Sequence, residues 1–368
     1  MNNFNWKTEK IYYQHQSYFD DLVQSIQQAK KSIELETYIF DCDVIGQMIL
    51  NELKLASDRG VQVRVLVDGF GAFFEISKIH LILSGSPVQF KVFHPFLFPV
   101  FTQFKWLRVD LILKLLSHWN RRLHRKICLI DEQILFLGSF NITNNLNRET
   151  GARVTGPTVL EMRKAFEIVW DGADKMRLKY SKLSFKFDSS SLLRLNFSRK
   201  VRQSNRKNLC QKMVSAKKRV WITSAYFVPP PMILKAILAA RNNGIEVQIL
   251  VPSFSDLKFM KLLTETYYRG LLTIGVQIFE YQTSFLHAKS VLIDDWAIVG
   301  SSNMNYRSFF HDLEVDIVLT HTLSISSLEK QFMIDRCHSI QMTLESLVKR
   351  PWLDRIFTWL LSFFRDSL

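Results

Sequence analysis

A histidine-containing motif occurs twice in the chain, and this repetition restricts the possible folds more than any other feature. The stretch HRKICLIDEQILFLGSFN begins at His124, and HAKSVLIDDWAIVGSSN begins at His287. The similarity extends upstream, where AKKSIELETYIF from Ala29 resembles AKKRVWITSAYF from Ala216. Because corresponding segments follow one another in the same order, the chain is predicted to consist of two similar halves that fold alike.

Each half is predicted to alternate strands with helices. The apolar, β-branched runs VQVRVLV (Val61–Val67) and IEVQILV (Ile245–Val251) follow helical stretches and lack clean polar alternation. Such runs are typical of strands covered on both faces, within βαβ units. We therefore expect an α/β fold of two similar domains. Each would be a mixed, mostly parallel sheet flanked by helices, and pseudo-two-fold symmetry would place one active site at their interface.

The junction between the halves is predicted within residues 176–200, which are basic and rich in serine. This predicts an N-terminal domain over residues 1–185 and a C-terminal domain over residues 186–345. Residues 346–368 are predicted to form a separate amphipathic helix.

The motif itself indicates phosphate chemistry. Each histidine precedes a lysine by two residues, and residues at positions i and i+2 of a strand point to the same side. A hairpin would then return the asparagine of the following GSxN segment towards the histidine. One copy supplies one histidine, whereas covalent phosphodiester exchange needs two, a nucleophile and an acid that then becomes a base. Two copies meeting at one site supply both, with two lysines to stabilise the developing charge, so we expect no metal or other cofactor.

The HxKxxxxD motif followed by GSxN, present twice, resembles the phospholipase D superfamily. The stretches ETYIFDCDVIGQMILNELKLASDRGVQVRVLVDGFGA and LHAKSVLIDDWAIVGSSNMNYRS are similar to bacterial cardiolipin synthases. The resemblance covers about residues 10–350. It implies a phosphatidyl-histidine intermediate on His124, with His287 as the general acid and then base.

The resemblance also implies roles for the neighbouring residues. Glu149 and Glu314 match carboxylates that hydrogen-bond the active-site histidines. The motif aspartates Asp131 and Asp294 are counted with the catalytic group, although a structural role in the hairpin is favoured for both. The groups predicted to bind the substrate phosphate are Lys126, Lys289, Asn141, Asn303, Ser139 and Ser301.

Composition limits the partners. The net charge of +14 favours polyanions, either nucleic acid or an anionic membrane surface. The four cysteines are widely spaced, which argues against a disulfide framework or zinc cluster and fits a reducing cytosol. Neither a secretory signal nor a confident membrane-spanning segment is visible.

Two aromatic segments are candidates for contact with a bilayer. Val92–Leu116 is rich in phenylalanine but interrupted by charges, and RPWLDRIFTWLLSFFRDSL at the C-terminus has apolar residues near helical spacing. The alternative is that both segments are ordinary helices packed on the core. We expect a peripheral protein on the cytoplasmic side of the bacterial cytoplasmic membrane.

The resemblance to the phospholipase D superfamily implies a cardiolipin synthase-like transphosphatidylase. It would transfer a phosphatidyl group from phosphatidylglycerol to a second phospholipid, most simply phosphatidylglycerol, and release glycerol. The alternatives are a hydrolytic phospholipase D, a nuclease acting on DNA, and a non-catalytic membrane scaffold. No nucleic acid is obligatory in the leading interpretation, and no oligomer is required because one chain carries both motifs.

Overall fold

The computed structural model describes residues 5–94, 121–173 and 191–349. The first described sheet has seven strands in the order β1-β7-β6-β5-β2-β3-β4. Its strands are β1 (Thr8–Tyr12), β2 (Ser32–Thr37), β3 (Gln62–Asp68), β4 (Gln89–Phe93), β5 (Ile127–Ile130), β6 (Ile134–Gly138) and β7 (Gly151–Thr155). The helices of this half are α1 (His15–Gln28), α2 (Val44–Asp58), α3 (Ile76–Leu83) and α4 (Val159–Ala173).

The second described sheet has eight strands in the order β15-β11-β10-β9-β12-β13-β14-β8. Its strands are β8 (Leu193–Leu195), β9 (Arg219–Thr223), β10 (Glu246–Pro252), β11 (Gln277–Tyr281), β12 (Ser290–Ile293), β13 (Trp296–Gly300), β14 (Val315–Leu319) and β15 (Ser339–Gln341). The helices are α5 (Arg199–Val214), α6 (Pro231–Asn242), α7 (Lys258–Glu265), α8 (Tyr268–Thr273), α9 (Tyr306–Phe310), α10 (Thr322–Cys337) and α11 (Leu344–Val348). Read from β8 to β11, this sheet repeats the order of the first.

The prediction of two similar α/β units with mixed sheets is confirmed, but the sheets are not mostly parallel. In each described sheet the parallel pairings are those of the central βαβ strands, β2–β3 and β3–β4 or β9–β10 and β10–β11. The motif strands and the strand after them pair antiparallel. Short turns join β5 to β6 and β12 to β13, and a short turn can connect only antiparallel neighbours.

Local sequence explains how the elements begin and pack. Helix α2 starts after Asp43, whose carboxylate accepts a hydrogen bond from the Gly46 amide at 3.0 Å. Helix α1 buries Tyr18, Leu22 and Ile26, which recur at intervals of four residues and so lie on one face.

The antiparallel strands of the two sheets share one core. Leu137 of β6 and Val154 of β7 belong to the same buried cluster as Val299 of β13 and Val315 of β14. Burial of apolar surface from both halves stabilises their association. This packing brings the residues before β5 close to those before β14, and it brings the residues before β12 close to those before β7.

Three sequence predictions fall on residues outside the described ranges. The boundary at residues 185 and 186 lies there, although β8 already pairs with β14 of the second sheet. Most of Val92–Leu116 and all of residues 350–368 lie there as well. Among the described residues, no helix is both long and apolar enough to span a bilayer.

Candidate active site

The two motif histidines each bind a carboxylate from the opposite half. His124 Nδ1 lies 3.0 Å from Glu314 Oε2, and His287 Nδ1 lies 2.8 Å from Glu149 Oε1. Both glutamates are almost fully buried, with 1% and 4% of their surface exposed. A carboxylate on Nδ1 fixes the ring orientation and leaves Nε2 as the nitrogen that can meet a substrate.

The backbone explains this exchange of partners. The amide of His124 donates to the Leu313 carbonyl at 3.0 Å, immediately before Glu314. The amide of His287 donates to the Arg148 carbonyl at 2.9 Å, immediately before Glu149. Each histidine therefore lies in register with the strand that starts in the other half, so the site is complete only when the halves are packed together.

The motif lysines are buried beside their histidines. Lys126 Nζ donates to the His124 carbonyl at 2.7 Å, and Lys289 Nζ donates to the His287 carbonyl. Burial lowers the pKa of Lys126 to about 8 and that of Lys289 to about 7, although nearby glutamates oppose the effect. Two cationic groups held in a water-poor site interact strongly with a bound anion.

Burial also lowers the pKa of both histidines. The pKa of His124 lies well below its ordinary value, because burial and the charge of Lys126 both disfavour the imidazolium. Burial lowers the pKa of His287 as well, but the Glu149 carboxylate opposes this effect. The unprotonated ring is thus favoured more strongly at His124.

The asparagines lie at equivalent positions. Asn141 Oδ1 accepts from the Ile39 amide and Asn303 Oδ1 accepts from the Tyr226 amide, each at 3.3 Å. These bonds tie the GSxN segments to the loops that follow β2 and β9. Because the oxygen of each side chain is bound to the backbone, the Nδ2 group is the part that can donate to a phosphate.

The serines Ser139 and Ser301, predicted to bind the substrate phosphate, are buried and make hydrogen bonds within the protein. Both have 0% of their surface exposed. Ser139 Oγ donates to the Thr150 carbonyl at 3.1 Å, and Ser301 Oγ donates to Glu314 Oε2 at 2.5 Å. Their strand direction turns the hydroxyl groups towards the adjoining strand and its glutamate.

The motif aspartates lie in the hairpin turns, where their carboxylates bind backbone amides, as expected for the structural role favoured for both. Asp131 accepts from the amides of Lys30, Lys31 and Ser32. Asp294 accepts in the same way from three consecutive amides beginning at Lys217. Both adopt positive φ, 51° and 50°. The carboxylates therefore join the hairpin to the start of β2 or β9.

A family model described as "Cardiolipin synthase, PLD-like domain" matches residues 22–170 and 209–336. The chain belongs to the cardiolipin synthase branch of the phospholipase D superfamily. It is accordingly a phosphatidyltransferase.

Named relatives agree with the family, and one solved structure has a similar fold. A cardiolipin synthase from Clostridium perfringens is 32% identical over 94% of this chain and 74% of its own length. One from Halalkalibacterium halodurans is 32% identical over 92% of this chain and 68% of its own length. The crystal structure of phosphatidylserine synthase from Haemophilus influenzae has a TM-score of 0.70 at 14% identity, covering 98% of this chain and 93% of that one. This last likeness concerns the fold alone.

Sequence reasoning missed Ser308, in α9. Its hydroxyl donates to Glu314 Oε1 at 2.6 Å and accepts from the Asn303 amide at 3.1 Å. It therefore connects a predicted phosphate-binding residue to the carboxylate that orients His124. A serine five residues after the GSxN asparagine was the available signal, but spacing alone does not reveal the α9 turn.

Sequence reasoning also missed a buried ion pair behind the first motif. Arg125 points away from its motif neighbours and donates to Glu36 at 2.7 Å. Burial raises the pKa of Glu36 to about 7, against the opposing charge of Arg125. Ala288 occupies the position of Arg125 in the second motif, so this pair is specific to the first half.

Proposed function

We propose that the chain transfers a phosphatidyl group from phosphatidylglycerol to a second phospholipid, most simply phosphatidylglycerol, and releases glycerol. The observation that carries this proposal is the pair of histidines bound crosswise to Glu314 and Glu149. The names of the matched relatives, cardiolipin synthases, support the choice of substrates.

In the first step, His124 Nε2 attacks the phosphorus of the donor lipid. The P–O bond to glycerol breaks, His287 gives its proton to the leaving oxygen, and a phosphatidyl-histidine remains. The lowered pKa of His124 supports this assignment, because an unprotonated ring is the nucleophile. Lys126, Lys289, Asn141 and Asn303 would bind the phosphate oxygens and stabilise the charge that develops on them.

In the second step, the hydroxyl of the acceptor lipid attacks the same phosphorus. His287 takes the proton of that hydroxyl, the P–N bond breaks, and His124 is released unprotonated. The acid of the first step is thus the base of the second. The glutamates would hold both rings in place and stabilise each imidazolium as it forms.

We also propose that the protein acts as a peripheral protein on the cytoplasmic side of the bacterial cytoplasmic membrane. The lipid substrates reside in a bilayer, and the net charge of +14 favours an anionic surface. Phe74, in the loop after β3, has 86% of its surface exposed and suits contact with headgroups. Since one chain supplies both histidines, the proposed reaction needs no oligomer.

Incubation of the pure protein with phosphatidylglycerol vesicles tests the proposal, with products identified by mass spectrometry. Cardiolipin together with glycerol is the expected result. Phosphatidic acid alone would instead indicate a hydrolytic phospholipase D. An unchanged lipid pool together with cleavage of single-stranded DNA would indicate a nuclease.

A further inference from the structure

The loop after β10 differs in chemistry from the corresponding loop of the first half. After β3 the chain reads GFGAFFE, whereas after β10 it reads SFSDLK. In the second loop, Asp256 accepts a hydrogen bond from the Tyr226 hydroxyl, with its two oxygens 2.7 and 2.8 Å away. The first loop carries Ala72 and phenylalanines instead, so this pair breaks the symmetry of the site.

The Tyr226–Asp256 pair lies beside the second motif. The Tyr226 amide binds Asn303, a residue proposed to hold the phosphate, at 3.3 Å. Its ring centre lies 6.4 Å from that of Phe285, which in turn lies 5.7 Å from the His287 ring. Tyr226 is half-buried and Asp256 is exposed, so the pair stands at the mouth of the site next to the acid–base histidine.

A carboxylate is an unexpected neighbour for a phosphate site. It repels the substrate phosphate, and its charge acts on Lys289, where it opposes the fall in pKa that burial causes. Such a group contributes to binding only where the ligand presents hydrogen-bond donors.

Asp256 has acceptor capacity left for such donors. Oδ1 accepts from Tyr226, from Ser255 at 3.1 Å and from the Leu257 amide at 2.9 Å. Among the described residues, Oδ2 accepts a hydrogen bond from the Tyr226 hydroxyl alone. The Tyr226 oxygen can in addition accept a bond of its own.

We propose that Tyr226 and Asp256 form the subsite for the reacting alcohol and bind the free hydroxyl groups of a glycerol headgroup. This proposal rests on the proposed function, because it identifies what the site recognises on the leaving alcohol and on the attacking alcohol. The pair takes no part in bond making. It holds glycerol hydroxyls near His287. A glycerol-bearing acceptor is therefore favoured over water as the group that attacks the phosphatidyl-histidine.

Headgroup exchange separates alcohol recognition from the chemistry. Phosphatidylglycerol vesicles are incubated with deuterated glycerol and 1-propanol together, and the labelled phosphatidylglycerol, phosphatidylpropanol and phosphatidic acid are counted. We expect Asp256→Ala to lower the ratio of glycerol to propanol transfer about tenfold, as for loss of a hydrogen bond to a charged group. The ratio is the readout, because the effects of Asp256→Ala on the leaving glycerol and on Lys289 act before the alcohols compete and change all three products alike. Tyr226→Phe should shift the ratio in the same direction by a smaller factor.

A matched control is Asp295→Ala, which removes an equal charge from an exposed position in the turn between β12 and β13. It should leave the ratio unchanged. An unchanged ratio in Asp256→Ala, or an equal fall of all three products, would overturn the subsite. Ethanolamine is added as a third alcohol to test the assignment to glycerol. If Asp256→Ala changed transfer to ethanolamine alone, recognition of glycerol would be contradicted.

The two proposals fail differently. If the wild-type protein makes cardiolipin and the ratio does not respond to Asp256→Ala, only the subsite is wrong. If the wild type forms phosphatidic acid without cardiolipin, the ratio still reports on the subsite while the transferase reaction is disproved. Absence of any lipid turnover rejects both.

Discussion

The two halves supply matching groups to the site but hold their carboxylates differently. Glu314, the partner of His124, accepts hydrogen bonds from Ser301 at 2.5 Å and Ser308 at 2.6 Å. Glu149, the partner of His287, has one oxygen on the ring, and its Oε2 is buried without a hydrogen-bond partner among the described residues. Hydroxyl bonds disperse the charge of Glu314, so it attracts a ring proton less strongly than Glu149 does.

This difference suits two different tasks. A histidine that stays unprotonated is the better nucleophile, and one that a carboxylate helps to protonate is the better general acid. Burial lowers the pKa of both rings, and at His287 Glu149 is the main group opposing that shift. The asymmetry thus provides a physical reason for assigning the nucleophile to the first half, from a structure whose sequence motifs are nearly the same.

Replacement of each histidine gives the largest expected effects. His124→Ala should reduce turnover by about 10⁵-fold, to background, because no covalent route remains. His287→Ala should reduce it by about 10³-fold with natural lipids. A donor with a good leaving group, such as a nitrophenyl ester, should restore the first step in His287→Ala but not in His124→Ala. Equal restoration in both variants would show that His124 and His287 do not have separate roles as nucleophile and general acid.

The glutamates should separate in their pH profiles. Glu314→Gln and Glu149→Gln are each expected to lower kcat/KM about a hundredfold, because the ring loses its orienting partner. Since Glu149 raises the pKa of His287, Glu149→Gln should also move the acid–base limb of the profile to lower pH. The profile of Glu314→Gln should lack this shift. If Glu314→Gln shows the shift instead, the crosswise assignment is wrong.

Alkaline pH should weaken substrate binding. Because burial lowers the pKa of Lys126 to about 8 and that of Lys289 to about 7, both lose their charge as the pH rises through these values. The KM for phosphatidylglycerol should increase about tenfold between pH 7 and pH 9, because the loss of these charges weakens binding of the phosphate. Their effect on stability has the opposite sign. The lysines of the unfolded chain keep their protons to higher pH than those of the folded protein, so the free energy of unfolding increases as the pH rises through this window. Lys289→Met should have a high KM with a flatter pH dependence, and a wild-type KM independent of pH would count against phosphate binding by the lysines.

Ser308 provides a test confined to one half. Ser308→Ala removes one donor from Glu314 and should lower kcat about fivefold while the KM changes little, since a single buried hydrogen bond is lost. It should also raise the pKa of His124, seen as a shift in the nucleophile limb, and Ser308→Thr should rescue both effects. A fall in stability without any shift of that limb would mean that Ser308 only supports the fold.

The motif aspartates should give the smallest effect on activity and an equal effect in each half. Asp131→Asn and Asp294→Asn each weaken three bonds from consecutive backbone amides, at an expected cost of about 2 kcal/mol in the free energy of unfolding. The amide bonds hold the pKa of Asp294 below its usual value, so its contribution is present above the unfolded pKa and is lost as the pH falls. Thermal unfolding measures the cost. A large loss of kcat in folded protein would return these residues to the catalytic group.

The sequence was sufficient for whatever depends on local pattern. The repeated motif predicted two similar units, and the matching strand orders of the two described sheets confirm them. The pairing of His124 with Glu314 was beyond reach, because it depends on how residues 190 positions apart in the chain meet when the halves pack. The hydrogen bonds of Ser139 and Ser301 within the protein were beyond reach for a similar reason, since the side of the strand on which a hydroxyl points depends on its partner strand.

The most direct test of the central claim is to locate the covalent intermediate. His287→Ala protein is mixed with a phosphatidyl ester that has a good leaving group, quenched at alkaline pH to preserve the P–N bond, and digested for mass spectrometry. The account predicts a phosphatidyl adduct on the peptide that contains His124, and none in a His124→Ala/His287→Ala double variant. An adduct on His287 in His124→Ala protein, with none on His124 in His287→Ala protein, would contradict it.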